Sequence, residues 1–127
     1  IKNLSTSGLH IRGWYVSDEL MPYYYGASDI SFIQRKKILN SGNLPMAFMM
    51  GNVVVGPDTG NVGEILKQTG NPYFNPENDN SLIPASLKGL EMSSKGKGKE
   101  NEEYSKCHFS TSVIAEQLYN LYKSLGK

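Results

Sequence analysis

Apolar positions along the chain change period several times, and each change marks an element. Leu9-His10-Ile11-Arg12-Gly13-Trp14 alternates apolar and polar residues, the period of a half-buried strand. Ser17-Asp18-Glu19 opens a helix with Ser17 as N-cap and acids in the first turn. That helix is expected to reach about Ala27, with Leu20, Tyr24 and Ala27 on one face and Pro22 near its start. Asp29 to Ile33 reads as the next strand, followed by the basic turn Arg35-Lys36-Lys37. Asn40-Ser41-Gly42-Asn43 leads into an apolar helix, Leu44 to Met50, ended by Gly51. Val53-Val54-Val55 has no alternation, which suits a parallel strand buried on both faces.

After Gly56-Pro57-Asp58 the period becomes helical again, from Val62 to Gln68, closed by Gly70. Tyr73-Phe74 is a brief strand between Pro72 and Pro76, and Ser81 caps a helix through Leu82, Leu87 and Leu90. Ser93 to Glu103, SSKGKGKENEE, is polar throughout and is expected to be a mobile loop or a frayed helix. From Ser110 to Leu125, the residues Val113, Ile114, Gln117, Leu118, Leu121, Tyr122 and Leu125 form one stripe at helical spacing. Strands alternating with helices predict an α/β fold: a Rossmann-like parallel sheet with right-handed crossovers and flanking helices. In such sheets ligands sit beyond the carboxyl ends of the strands. The loops after Trp14, Ile33 and Val55 are therefore the chemically suggestive ones.

Composition narrows the function classes. The 127 residues carry a net charge of +1, and 39% are hydrophobic, an ordinary globular balance that gives no electrostatic case for nucleic acid. A single cysteine, Cys107, excludes an internal disulfide framework and favours a reducing, cytoplasmic setting. With His10 and His108 far apart in sequence, a zinc site lacks ligands. No apolar run is long enough to span a bilayer, and the N-terminal IKNLSTSGLH has no signal-peptide core. GNVVVGPDTGNVGEIL, Gly51 to Leu66, is a strand-turn-helix that matches neither a dinucleotide fingerprint nor a P-loop. Tyr23-Tyr24-Tyr25 reads as ordinary packing with one exposed ring, and Met46, Phe48, Met49 and Met50 read as core.

Taken in order, these segments resemble the C-terminal domain of retaining family 4 glycosyltransferases of the GT-B fold. The resemblance runs through GWYVSDELMPYYYGASDI, QRKKILNSGNLPMAFMMGNVVVGPDTGNVGEIL, NPYFNPENDNSL and FSTSVIAEQLYNLYKSL. It implies that residues 1–127 are a single, truncated donor-binding domain that holds a nucleotide-diphosphate sugar. A missing N-terminal domain would bring a glycan or lipid-linked acceptor, with peripheral membrane contact of the longer protein. No cofactor and no metal are implied. The truncation leaves an open sheet edge, which invites self-association.

The resemblance also nominates a site. Trp14 to Val16 would border the base. Asn40, Ser41, Gly42 and Asn43 before one helix, and Thr59, Gly60, Asn61 and Glu64 at the start of the next, would place the diphosphate between two helix N-termini. Arg35 and Lys37 would add charge-assisted contacts. Ile38 and Met46 stand where the family carries a glutamate pair, and Asn40-Ser41-Gly42 fits a subset with a Ser-Gly loop instead. Three other readings remain open: a non-catalytic nucleotide-sugar binder, a sugar-nucleotide epimerase, and a flavodoxin-like module unrelated to sugars.

Overall fold

The computed structural model describes residues 15–126; the expected strand Leu9–Trp14, with His10 and Trp14, lies outside them. The elements are α1 (Met21–Gly26), β1 (Ile30–Phe32), α2 (Asn43–Met49), β2 (Val53–Pro57), α3 (Gly60–Gln68), β3 (Tyr73–Phe74), a 3₁₀ turn (Asp79–Ser81), α4 (Leu82–Ser94), α5 (Lys97–His108) and α6 (Thr111–Leu125). The strands form a parallel sheet in the order β1-β2-β3. Ile30 to Phe32 pair with Val53 to Val55, and Gly56 and Pro57 pair with Tyr73 and Phe74. This is the expected α/β architecture: a Rossmann-like parallel sheet with flanking helices.

β2 is central and every one of its residues is buried. Successive side chains of a strand point to opposite faces, so the valine run supplies both layers. Val54 packs with Leu44, Ala47 and Phe48 of α2 and with Val62 and Leu66 of α3. Val55 packs with Phe74 and Ala85, the latter from α4. Helices therefore cover both faces, which is why β2 needs no polar positions.

α4 approaches the sheet on small residues. A Cβ on Gly89 would lie 2.7 Å from Val55 Cγ2, so this helix can sit close only because position 89 has no side chain. Its larger residues, Leu82, Ile83, Leu87 and Leu90, are exposed. Ser81 precedes α4 but does not cap it with its side chain. Its hydroxyl instead donates to the carbonyls of Asn75 and Asn78 and accepts from the Asn75 N–H, holding the turn before the helix. The first helix is shorter than expected. It begins at Met21 with no side-chain cap, after a turn in which Leu20 N–H and Met21 N–H both bond to the Ser17 carbonyl. Pro22 lacks the N–H that would bond to residue 18, so a helix starting at Ser17 would have a gap in its second turn. Tyr25 of α1 packs on the core, while Tyr23 and Tyr24 are exposed, so two rings of the triplet face solvent rather than one. In α2, Phe48 is fully buried, but Met49 is exposed and Met46 and Met50 are half-buried.

The polar stretch 93–103 is where the expectation fails. It contains the end of α4 and the first part of α5, and α5 is a core helix. Its buried face is Gly98, Asn101 and Ser105. Gly98 lies directly on the Gly51 carbonyl, where any Cβ would overlap the oxygen. Asn101 Nδ2 donates to the Asn52 carbonyl at 2.9 Å. Asn101 and Asn71 also exchange side-chain amide bonds, at 2.8 and 2.9 Å. Asn71 Oδ1 accepts from the Val54 N–H, and Asn52 Nδ2 donates to the carbonyls of Tyr25 and Ser28. Three buried asparagines thus tie α5, the start of β2, α1 and the turn after α3 into one network. Among the described residues no buried side-chain nitrogen or oxygen lacks a partner.

Candidate functional site

The carboxyl end of β1 opens onto a cleft of about 500 Å³. It is lined by Phe32, Ile33, Gln34, Arg35, Ile38, Ser41, Gly42 and Asn43. Its position follows from the chain path. β1 ends at Phe32, the chain swings outward through the basic turn, and it re-enters at the first turn of α2. A neighbouring pocket of about 280 Å³ lies between α2 and α3, lined in part by Asn40, Ser41, Gly42 and Asn61. Ser41 and Gly42 face both.

The nominated residues divide into three groups. Arg35, Ser41, Gly42 and Asn43 meet in the larger cleft, and Asn40 and Asn61 join Ser41 and Gly42 in the smaller one. Lys37, Thr59, Gly60 and Glu64 line neither. Val16 is half-buried and also outside both, and Trp14 is not among the described residues. Among the described residues, no hydrogen bond or ion pair engages the side chains of Gln34, Arg35, Lys37, Asn40, Asn43 or Asn61.

The start of α3 is occupied from within. Gly60 has φ +54°, a left-handed conformation, and a Cβ there would sit 2.5 Å from the Ile38 carbonyl oxygen. The Asn61 N–H donates to the Leu39 carbonyl at 2.9 Å. Thr59 Oγ1 donates to the Lys36 carbonyl. The loop that follows β1 therefore lies on the N-terminus of α3, and the expected opening between two helix N-termini is closed on that side. The start of α2 is less committed. Ser41 Oγ accepts from the Asn43 N–H at 3.3 Å, and the Ser41 carbonyl accepts from the Leu44 N–H at 3.3 Å, both long.

Lys36 takes a different path from its neighbours. Its ammonium pairs with Asp79 at 2.7 Å, linking the loop after β1 to the turn after β3. That carboxylate raises the Lys36 pKa above its ordinary value. Lys67 pairs with Asp58 at 2.6 Å and is raised for the same reason. Phe32 stacks on Phe74 with ring centroids 5.6 Å apart and planes within 6°, which fixes one wall of the cleft. Sequence reasoning did not nominate Phe32 or Gln34. The available signal was their position, at and just after the end of a strand that precedes a basic turn.

Ile38 lines the cleft and Met46 is half-buried in α2, so the cleft lining carries no carboxylate. Among the described residues there is no group of three or more His, Cys, Asp or Glu side chains placed to hold a metal ion. Among the same residues, no helix is long and apolar enough to cross a membrane. No family model, no curated protein and no solved structure matches this chain.

Proposed function

We propose that the chain is the donor-binding part of a retaining glycosyltransferase of the GT-B type. In this reading it holds a nucleotide-diphosphate sugar in the cleft beyond β1 and α2. One observation carries the reading: Arg35, Ser41, Gly42 and Asn43 converge on a cleft of about 500 Å³ at the carboxyl end of a parallel sheet. That volume suits a small ligand, and the location is where α/β sheets bind theirs. Arg35 has no partner among the described residues and supplies a fixed positive charge for a phosphate. Ser41 and Asn43 supply donors and acceptors for phosphate oxygens or sugar hydroxyls. As the glycosidic bond to the diphosphate breaks, charge builds on the leaving oxygens, and fixed donors beside them lower the barrier. The acceptor, a glycan or a lipid-linked sugar, would be brought by a second domain. The 127-residue chain is accordingly expected to bind and not to turn over.

A second reading, a non-catalytic nucleotide-sugar binder, is favoured by Ile38 and Met46 and by the absence of a carboxylate from the cleft lining. Calorimetry with uridine, guanosine and adenosine diphosphates and their sugar conjugates tests the shared element. Saturable binding of one nucleotide, weakened about tenfold by Arg35→Ala, is the expected result. A folded chain that binds none of them contradicts both readings. Sugar transfer by a longer protein containing this chain would separate them in favour of the enzyme.

A further inference from the structure

α6 buries none of its residues, although its apolar residues form one stripe at helical spacing. Ile114, Leu118, Leu121 and Leu125 follow one another at spacings of four, three and four, the seam of a two-helix coil. They are 43, 49, 53 and 71% exposed, and Tyr122 beside them is 72% exposed. From this face we infer that α6 pairs antiparallel with α6 of a second copy of the chain.

Register, charge and size support that occupant. In an antiparallel pair Ile114 falls opposite Leu125 of the second copy, and Leu118 falls opposite Leu121. Every seam residue then meets an apolar partner, with none left over. The helix has two charged residues, Glu116 and Lys123, seven apart. Both lie on the side farthest from the seam, so no like charges oppose the pairing. Covering the exposed seam residues and Tyr122 on both copies removes on the order of 1,200 Å² from water, the lower limit for a specific interface. A parallel pair is disfavoured by the body of the molecule. Among the described elements α6 packs mainly on α5, which immediately precedes it in the chain, so parallel helices would force two bodies into the same space. Antiparallel helices separate the bodies by the length of α6, about 22 Å.

The test is sedimentation equilibrium of the full chain at about 100 µM, which reports dissociation constants in the micromolar range. The wild type is expected to sediment as a dimer. Leu118→Glu and Leu121→Lys are each expected to lose the dimer at this concentration, with the circular-dichroism spectrum of a folded chain, because α6 has no buried side chain to lose. An equimolar mixture of the two variants is expected to recover a dimer containing one of each. Only the antiparallel register sets the new carboxylate against the new ammonium while leaving the second layer leucine on leucine. A monomeric wild type overturns the inference. So does a dimer that survives either single change, which would place the contact elsewhere, such as an edge of the sheet. A mixture that stays monomeric overturns the antiparallel register.

Discussion

The two ends of β2 are built on opposite terms. At its start, Asn52 lies in a network with Asn71 and Asn101 in which each amide is engaged, and the three residues are 3, 2 and 1% exposed. Beyond its other end, Gln34, Arg35, Asn43 and Asn61 have side chains with no hydrogen bond among the described residues. Polar groups buried with full satisfaction fix one geometry, because breaking any member strands its neighbours. Polar groups gathered in a cleft and left unengaged are available to a ligand. One end of the sheet thus specifies the fold, and the other offers chemistry.

Substitutions should separate the two ends. The largest effect is expected from Gly98→Val, which sets a branched side chain against the Gly51 carbonyl and pushes α5 off the sheet. A loss of about 3 kcal/mol in urea unfolding is expected. Asn101→Ala comes next. It removes both amide bonds between Asn101 and Asn71 and the donor to the Asn52 carbonyl, leaving Asn71 its bonds to Thr69 and the Val54 N–H, and is expected to cost about 2 kcal/mol. A double-mutant cycle with Asn71→Ala should show strong coupling; additive losses would mean that the network acts as separate bonds. At the other end, Arg35→Ala is expected to change stability by less than about 0.5 kcal/mol, since the side chain is exposed and unpaired. A loss comparable to that of Asn101→Ala would erase the distinction between the ends.

The smallest effect expected is that of pH. Lys95 and Lys106 lower the pKa values of Glu91 and Glu102 below their ordinary 4.5. A carboxylate with a depressed folded pKa stabilises above its unfolded pKa, and that contribution is lost as pH falls through the folded value. Unfolding midpoints should therefore stay flat from pH 6 to 8 with respect to these groups and decline slightly below about 4.5. The decline should shrink in high salt, because both pairs are exposed.

Legibility in the sequence followed the same division. β2, α2 and α3 were readable because Val53 to Val55, Leu44, Phe48, Val62 and Leu66 carry their burial in their hydrophobicity. α5 was not, because its buried face is Gly98, Asn101 and Ser105. Those residues recur at helical spacing, but a reading based on hydrophobicity assigns them to solvent. α4 misled in the opposite sense: Ala85 and Gly89 face the sheet while its leucines do not, since close packing favours the absence of a side chain. Of the candidate site, Arg35 and the 40–43 segment were readable from their position after a strand. The closure of the α3 N-terminus by the Ile38 and Leu39 carbonyls was not, since backbone contacts leave little trace in residue identity.

The central claim is that the cleft beyond β1 and α2 binds a nucleotide-diphosphate sugar while the asparagine network does not respond. Amide chemical shifts of the labelled chain, followed during titration with the nucleotide diphosphate that binds in calorimetry, test it directly. The account predicts progressive, saturable shifts confined to Phe32 through Asn43 and the neighbouring turn at Asn61, with Asn52, Asn71 and Asn101 unmoved. Shifts centred elsewhere, or none at millimolar nucleotide, would contradict it.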